Sequence, residues 1–341
     1  MKTNMENEIY SQGEVLKTVK EKYIKDGKIE LGIDFDFREI KFIASGSSYN
    51  VGRIAHKFFE IYTDKNASFE YSSEFISNPN RRIDKDTLYC FITQSGETFD
   101  TKTALQIVKN GGGKTLAIVN NSDSTVYNLC DYKIDVVAGV ENSIAATKSF
   151  ISCVICLWLV SLSFAKDNIN ATEELDEAIC AINDVLADVS GVEAAAEILC
   201  KKQKISLIGY DFAYCLAKEG ALKIKETSYI DTTAYPTGEF LHGHTAILNK
   251  SKSLIEIFFS PVSQFEANTL AKVEKDFNPE VVAITDMDVN KAAVIKFKKY
   301  NYLISKICAV IVNLQLLALK IAINTGANVD TPDGLSKVVT G

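Results

Sequence analysis

Short apolar segments alternate along the chain with longer segments in which apolar residues recur at helical spacing. Residues 40–44 and 88–92 are predicted strands, and the helices predicted to follow them cover residues 49–62 and 98–108. Three more strands are predicted in this half, over residues 69–72, 115–119 and 132–137. Such alternation predicts a doubly wound, mostly parallel sheet, whose ligands bind beyond the carboxyl ends of the strands.

The same alternation starts again after residue 200. Residues 204–209 and the helical segment after them repeat the arrangement found from residue 42 onward. Later strands are predicted over residues 254–260, 281–285 and 301–304. The sequence therefore predicts an α/β fold with two tandem doubly wound parallel-sheet domains of the flavodoxin-like kind and a C-terminal tail.

This pattern divides the chain into five segments. An amphipathic helical segment over residues 1–37 is expected to pack on the outside of the first sheet domain. That domain is predicted over residues 38–166, where an apolar helix from 145 to 162 closes it, and the second over 201–327. A Glu-, Asp- and Ala-rich linking helix is predicted over 167–200, and the tail over 328–341.

Composition and charge exclude several classes of function. The 341 residues are 47% hydrophobic and carry a formal net charge of −7, which argues against nucleic acid or an anionic membrane as the main partner. The polar first 20 residues contain no apolar core of a secretory signal, so a cytoplasmic location is expected. The apolar run over residues 153–165 is too short for a membrane span, which needs about 20 residues, and is predicted to be a buried helix.

The eight cysteines lie mostly inside apolar segments and are predicted to be reduced core residues. Cys153 and Cys156 have CxxC spacing, but they lie in an apolar helical segment without a second pair. His242 and His244 have no third Cys or His nearby. We therefore expect neither a metal nor an organic cofactor.

A hydroxyl-rich turn follows the predicted strand at 88–92. Thr93, Gln94, Ser95 and Thr98 lie there, and Gly96 permits close approach of the backbone. A helix N-terminus presents unpaired N–H groups and the positive end of the helix dipole, so hydroxyls beside it suit a phosphate. The alternative is that Ser95 or Thr98 only caps the helix.

The second half does not repeat this turn. A small-residue turn over residues 45–48 lies at the same predicted sheet edge as the first, whereas residues 260–264 read Ser-Pro-Val-Ser-Gln. One phosphate site per chain is therefore predicted, in the first half.

Ionisable residues at helical spacing mark the second half instead. Glu219, Lys223 and Glu226 fall on one stripe of the helix predicted over residues 212–229. His242 follows in a glycine-flanked loop and is a candidate general acid or base. The alternatives are a solvated helix face with ordinary charge pairing and a histidine that satisfies loop carbonyls.

These motifs together resemble the sugar isomerase (SIS) family, in particular the isomerase half of glucosamine-6-phosphate synthase. The resemblance spans residues from about 40 to 341 and extends to stand-alone aminosugar-phosphate deaminases and fructosamine-6-phosphate deglycases. The matching segments, in order, are Gly46-Ser-Ser48, Ser95-Gly-Glu-Thr98, Glu141-Asn-Ser-Ile-Ala-Ala-Thr-Lys148, Glu219-Gly-Ala-Leu-Lys-Ile-Lys-Glu226, Gly238-Glu239 with His242-Gly243, and Asn328-Val-Asp330 with Leu335-Ser-Lys337.

The resemblance implies a role for each matching residue. Glu226 would move a proton between C1 and C2 of the sugar, His242 would assist ring opening, Lys337 would serve the carbonyl as Schiff-base former or cation, and Lys223 would stabilise an oxyanion. It also implies a homodimer in which His242 crosses the interface. The implied phosphate ligands are Ser47, Ser48, Thr93, Gln94, Ser95 and Thr98, and the implied substrate pocket contains Gly46, Ile144, Ala145 and Glu239.

Departures from the family pattern bear on the reaction. About 40 residues without a cysteine precede the first predicted sheet, so glutamine-dependent synthesis is not expected and release of an amine is. His244 stands where the family usually has proline, Asp333 and Gly334 replace an Arg-Asn pair, and Phe240 is closer to the stand-alone enzymes.

Three hypotheses remain open. The first is an aminosugar-6-phosphate deaminase/isomerase that converts glucosamine 6-phosphate to fructose 6-phosphate and ammonia. The second is a deglycase of fructoselysine-type fructosamine 6-phosphates. The third is a simple aldose–ketose phosphosugar isomerase or a non-catalytic sugar-phosphate sensor. All three take a small sugar phosphate bound between an anion pocket of the first domain and an acid–base pair of the second.

Overall fold

Two five-stranded parallel sheets organise the chain, and each belongs to a separate compact unit. The computed structural model describes residues 2–338. The first-sheet unit contains residues 14–141, 146–173 and 336–338. The second-sheet unit contains residues 2–13, 142–145 and 174–335.

The N-terminal segment is more divided than the sequence pattern predicts. It forms α1 (Asn4–Tyr10), α2 (Gln12–Tyr23) and a small antiparallel hairpin of β1 (Ile24–Lys25) and β2 (Lys28–Ile29). The prediction that this segment packs on the outside is wrong for α1, because Met5 and Ile9 are fully buried and α1 contacts the last helix of the second-sheet unit. The apolar residues recur within one turn of helix, which gives α1 one face that packs in the core.

The first-sheet unit alternates strands and helices. Its order in space is β4-β3-β5-β6-β7, and every neighbouring pair is parallel. The central strand β5 is buried along its whole length, as expected of a parallel strand covered on both faces. The elements are β3 (Glu39–Ala44), α3 (Gly46–Tyr62), β4 (Asn66–Tyr71), α4 (Ser72–Ser77), β5 (Thr87–Thr93), α5 (Phe99–Asn110), β6 (Lys114–Val119), α6 (Thr125–Leu129), β7 (Tyr132–Asp135) and α7 (Lys148–Ser163).

The second-sheet unit has the same plan. Its order, β12-β11-β10-β8-β9, is again parallel throughout and places its second strand at one edge beside its first. The elements after α7 are α8 (Ala171–Ala187), α9 (Ser190–Leu199), β8 (Lys204–Gly209), α10 (Phe212–Ser228), β9 (Asp231–Pro236), α11 (Thr237–Phe240), a 3-10 helix (His244–Asn249), β10 (Ser253–Ile257), α12 (Gln264–Phe277), β11 (Glu280–Thr285), β12 (Ala293–Lys296) and α13 (Leu303–Thr325). The prediction of two tandem doubly wound sheets is thus confirmed.

One predicted strand is wrong. Residues 301–304 do not form a strand; the fifth strand of the second sheet is β12, and α13 already begins at Leu303. The apolar residues after position 303 continue for the whole length of α13, and a run of that length favours a helix.

Two apolar helices are core elements of their units. In α7 every residue from Ser149 to Leu162 is buried, which confirms the predicted buried helix. Within residues 2–338, α13 is the one helix long and apolar enough to cross a membrane. Most of α13 is buried inside the second-sheet unit, where it packs against α9 and α10.

Candidate active site

The hydroxyl-rich turn lies between the end of β5 and the start of α5. The Gly96 N–H donates to Thr93 Oγ1 at 3.2 Å, and the Glu97 N–H donates to Ser95 Oγ at 3.1 Å. Thr98 occupies the N-cap position of α5, yet its side chain makes no capping hydrogen bond. The alternative that Ser95 or Thr98 only caps this helix is therefore wrong, because two of the hydroxyls shape the turn itself.

Gly96 fixes the path of this turn. Its φ is +69°, and a Cβ placed there would lie 1.9 Å from Ser124 Oγ. Glu97 anchors the turn from the other side, because its Oε1 accepts a hydrogen bond of 2.6 Å from the Thr125 N–H and its Oε2 lies 2.9 Å from Lys102 Nζ. The Thr125 N–H, followed by Lys102, lowers the pKa of Glu97. Glu97 is therefore a structural anion, so the turn remains open to a second one.

A second helix N-terminus lies at the same sheet edge. Ser45 is the N-cap of α3, which begins at Gly46 rather than at residue 49 as predicted, so Ser47 and Ser48 lie in its first turn. β3 and β5 are parallel neighbours with Ala44 opposite Ile92, so both turns leave the sheet at one edge. The structure thus brings the six predicted phosphate ligands to the carboxyl edge of the first sheet. The unpaired N–H groups of two helix N-termini and these polar side chains can bind a phosphate there.

The predicted acid–base residues are buried on α10 in the second-sheet unit. Glu219 and Lys223 are 4% and 1% exposed, so the alternative of a solvated helix face is wrong. Lys223 Nζ lies 2.5 Å from Glu226 Oε2 and 3.5 Å from Glu219 Oε1. The burial arises because α10 packs against α13, β8 and β9.

Glu226 differs from its two partners in exposure. Its side chain is 23% exposed, so one carboxylate can reach a ligand while Lys223 holds it from below. A carboxylate in fixed geometry beside a buried cation can take up and return a proton, and the cation can stabilise negative charge that develops nearby. The arrangement suits proton transfer at a carbon next to a carbonyl.

His242 lies elsewhere in the same unit. It follows α11 in an exposed loop, and its N–H donates to the Glu239 carbonyl at 2.9 Å. The Glu239 side chain faces His244 instead, whose Nε2 lies 4.0 Å from Glu239 Oε1 and whose ring stacks on Tyr235 at 4.3 Å. No hydrogen bond or ion pair among the described residues joins His242 to Glu226, so the structure does not bring these two together within one chain.

Ile144 and Ala145 are held by α1, a contact that the sequence analysis missed. Glu8 is 6% exposed and accepts hydrogen bonds from the Asn142 N–H at 2.5 Å and the Ser143 N–H at 3.2 Å. The Ile144 N–H donates to the Asp330 carbonyl at 3.0 Å. The available signal was an acidic residue, Glu8, between apolar residues on one face of the predicted N-terminal helix.

Lys337 pairs with a buried carboxylate in the first-sheet unit. Its Nζ lies 2.7 Å from Glu141 Oε2, and Glu141 also accepts from the Thr147 N–H at 3.0 Å and from Ser149 Oγ at 2.7 Å. Burial would raise the pKa of Glu141, but the Lys337 cation and these hydrogen bonds outweigh it and hold the pKa below its usual value. Glu141 therefore carries a charge that fixes the Lys337 ammonium. The sequence analysis quoted Glu141 within a motif but gave it no role.

The cysteines and histidines show no metal chemistry in the part of the chain that the structure describes. No group of three or more His, Cys, Asp or Glu side chains is placed to hold a metal ion. Burial raises the pKa of Cys153 and Cys156, so neither thiol ionises near neutral pH. The prediction that the cysteines are core residues is wrong for two of them, because Cys180 is exposed and Cys200 is partly exposed.

Comparisons with known proteins place these features in one family. The chain is 33% identical to a glutamine–fructose-6-phosphate aminotransferase (isomerizing) of Campylobacter jejuni, a match covering 98% of this chain and 58% of the relative. The solved C-terminal domain of glucosamine-fructose-6-phosphate aminotransferase from Francisella tularensis superposes with a TM-score of 0.89 at 27% identity, covering 97% of this chain and 98% of that one. A glucosamine-6-phosphate deaminase from Thermotoga maritima shares the fold, with a TM-score of 0.80 at 20% identity and 99% of both chains covered.

The chain thus spans little more than half the length of the curated relative it matches. The SIS domain model matches residues 35–163 and 197–301, which contain the hydroxyl-rich turn and the α10 cluster respectively. Both sheets, their shared strand order and these matches lead to one conclusion: the chain belongs to the SIS domain family.

Proposed function

We propose that the chain is an aminosugar-6-phosphate deaminase/isomerase, which converts glucosamine 6-phosphate and water to fructose 6-phosphate and ammonia. The observation that carries the proposal is the partly exposed Glu226 held at 2.5 Å by the buried Lys223. Isomerisation across C1 and C2 needs one such base, together with a cation for the oxygen charge that develops.

The proposed steps need only the protein's acid–base groups and water. His242 protonates the ring oxygen and opens the sugar. Glu226 takes the proton from C2 and returns it to C1, while the C1 carbonyl becomes a hydroxyl and the C2 amine becomes an imine. Water then adds to C2 and ammonia leaves, which produces the ketone. Lys223 or the Lys337 ammonium stabilises the oxygen charge in the intermediate.

The phosphate supplies the binding energy in this proposal. The hydroxyl-rich turn and the first turn of α3 hold the phosphate, and Ile144, Ala145 and Glu239 contribute to the sugar pocket. Binding energy from a part of the substrate that does not react can hold the reacting C1–C2 edge in register. A loss of hydroxyls in the turn should therefore raise KM and also lower kcat.

A homodimer completes the proposal. His242 is exposed and lies on the loop after α11, whereas Glu226 is on α10. This separation supports a site to which a second copy of the chain contributes His242. The cytoplasm, where sugar phosphates are found, is the location that fits this activity.

The named relatives support the substrate class. The Campylobacter jejuni relative is named as acting on fructose 6-phosphate and isomerising it, and the Thermotoga maritima structure is named as a glucosamine-6-phosphate deaminase. Both names contain a C6-phosphorylated hexose and an amine at C2. The deglycase hypothesis also fits a phosphorylated hexose, so the amine that leaves must be measured.

The test gives purified protein glucosamine 6-phosphate and, separately, fructoselysine 6-phosphate, and measures released ammonia and lysine. We expect ammonia only, with deuterium from D2O at C1 of the fructose 6-phosphate. Glu226→Gln should lower kcat by about 10²- to 10⁴-fold, the usual contribution of a general base. Glu197→Gln, an exposed control in α9, should match the unsubstituted protein.

Three results would replace this proposal. Release of lysine without ammonia would favour the deglycase, and isomerisation without amine release would favour the simple isomerase. Tight binding of the sugar phosphate with no turnover in either assay, unchanged by Glu226→Gln, would favour a sensor.

A further inference from the structure

A cavity of about 480 Å³ in the second-sheet unit is lined by five lysines and no carboxylate. It lies at the amino-terminal ends of β8 and β10, beside the end of the 3-10 helix. α10 and its Glu226 pack against the other face of this sheet, together with α13 and α9. The cavity is therefore separate from the α10 cluster. The lysines are Lys201, Lys202, Lys204, Lys250 and Lys252.

Strand pairing brings two basic segments of the sequence together. β8 and β10 are parallel neighbours with Ser206 opposite Leu254, a register that puts Lys204 opposite Lys252. Ser251 Oγ also donates to the Lys204 carbonyl at 2.6 Å. The basic residues that lie far apart in the chain thus form one wall.

Most of this positive charge is not neutralised by the protein. Lys202 pairs with Glu280 at 2.5 Å, and Lys204 approaches Asp231 at 3.8 Å. The other three, Lys201, Lys250 and Lys252, are exposed and form no ion pair with any acidic side chain of residues 2–338. Three uncompensated cations therefore share one cavity in a chain whose formal net charge is −7.

This grouping opposes stability. Like charges opposite each other on neighbouring strands repel, and in an acidic chain carboxylates were available to offset them. A bound anion would remove the repulsion and would gain the energy of several charge-assisted hydrogen bonds. The charge pattern thus indicates a ligand rather than a structural role.

We propose that this cavity binds a small soluble anion that carries two or more phosphoryl groups. A diphosphate or triphosphate chain offers three or more negative charges near neutral pH, which matches the three free cations. The volume falls within the usual range of small-molecule sites, about 300–1,000 Å³, and is larger than one phosphate requires. The side chain of Ile247 supplies an apolar patch in the lining.

The chemistry has two sources, a bare phosphoanhydride chain and a nucleotide. A nucleic acid is disfavoured, because its recognition needs a basic stripe that extends beyond one cavity and the rest of the chain is acidic. The proposal goes beyond the aminosugar-phosphate reaction and does not depend on it.

The test measures binding of inorganic triphosphate and of Mg²⁺-free ATP by calorimetry, in a Ser95→Ala/Thr98→Ala background that weakens binding at the hydroxyl-rich turn. The cavity variant carries Lys201→Ala, Lys250→Ala and Lys252→Ala. The control variant loses the same charge through Lys85→Ala, Lys275→Ala and Lys299→Ala, three exposed lysines outside the cavity. Circular dichroism and thermal unfolding confirm that both variants are folded.

We expect at least a tenfold loss of triphosphate affinity in the cavity variant and less than a twofold loss in the control. ATP that binds more tightly than triphosphate would identify a nucleotide, and equal affinity would identify the phosphate chain. An equal loss in both triple variants, or no binding at 150 mM salt, would overturn the proposal, because attraction would then be general or absent. Neither result bears on ammonia release from glucosamine 6-phosphate.

Discussion

The Lys337 ammonium lies 2.7 Å from Glu141 Oε2, although 196 positions separate the two residues in the chain. Glu141 is fully buried, and backbone and hydroxyl donors at the start of α7 fix its carboxylate. A tail residue proposed to act on the substrate carbonyl is therefore positioned by a carboxylate that touches no substrate itself. Glu141 is thus a positioning residue for the proposed reaction.

Glu141→Gln should destabilise the first-sheet unit by about 2 kcal/mol, because a partly buried cation loses its counter-charge. A double-mutant cycle with Lys337→Met should give a coupling of at least about 1 kcal/mol, measured by urea unfolding. The exposed pair Glu14 and Lys17 is the control, with an expected coupling near zero. Additive effects of the two substitutions would contradict the assigned contact.

The same pair makes a prediction about acid. The pKa of Glu141 is lowered on folding, so the pair stabilises the fold above the ordinary pKa of a glutamate and this contribution is lost as the pH falls through the lower, folded pKa. Unfolding free energy measured from pH 6 to pH 3 should therefore decline less steeply in Glu141→Gln than in the unsubstituted protein. Identical slopes would show that Glu141 is not charged in the folded state.

Lys223→Met should destabilise the second-sheet unit by about 3–5 kcal/mol, because it leaves the buried Glu219 carboxylate without a counter-charge. Lys225→Met is the matched control, since Lys225 lies on the same helix, is exposed and approaches Asp231 at 3.5 Å. The control should change the unfolding free energy by less than about 1 kcal/mol. The double variant Lys223→Met/Glu219→Met should recover part of the loss, and a Lys223→Met protein as stable as the control would refute the buried pair.

Much of the fold could be predicted from the sequence, because alternating strands and helices leave local signals. The fully apolar run of β5 and the helical spacing after it identify the hydroxyl-rich turn without any tertiary information. The second-sheet unit was harder at its end, where β12 has only four residues and the apolar start of α13 was mistaken for a strand.

The site contacts could not be predicted in the same way. Burial separates the α10 cluster from a solvated helix face, and i, i+4 spacing is the same in both. The partners of Glu8 and Glu141 lie more than 130 positions away, at Ser143 and Lys337 respectively, so no local pattern records them. Two basic segments became one cavity only through the pairing of β8 with β10.

Gly96→Ala should disrupt the hydroxyl-rich turn, because the new Cβ would lie 1.9 Å from Ser124 Oγ and 2.3 Å from Ser124 Cβ. Gly112→Ala is the control for backbone strain alone: its φ is +74°, and its nearest neighbour is Lys85 Cε at 3.8 Å. The control should cost about 1–2 kcal/mol of unfolding free energy, and Gly96→Ala at least twice as much.

A rescue variant separates the clash from the strain. Gly96→Ala/Ser124→Gly removes the contacting side chain and should return the unfolding free energy to near the value of the control. Affinity for a sugar phosphate, measured by calorimetry, should fall at least tenfold in Gly96→Ala. Unchanged affinity in a folded Gly96→Ala protein would remove the turn from the proposed phosphate site.

Glu256 is a fully buried carboxyl in the middle of the second sheet. Neither of its oxygens has a hydrogen-bond partner, and the Lys291 Nζ that lies 3.5 Å away also pairs with Glu274. Burial raises the pKa of Glu256 to about 7; the Lys291 cation opposes that rise and the Glu274 charge adds to it. An acidic residue inside an otherwise apolar strand was visible in the sequence.

Glu256 should make the protein less stable as the pH rises from 5 to 7.5. The folded state binds the proton more tightly than the unfolded state, so stability is greatest below the ordinary glutamate pKa and is lost as the pH rises through the folded pKa, a total of about 3 kcal/mol. Glu256→Gln should remove this decline in urea unfolding, while the exposed control Glu197→Gln should retain it. A Glu256→Gln protein with the same pH dependence as the control would show that Glu256 is ionised in the fold, and that Lys291 neutralises it.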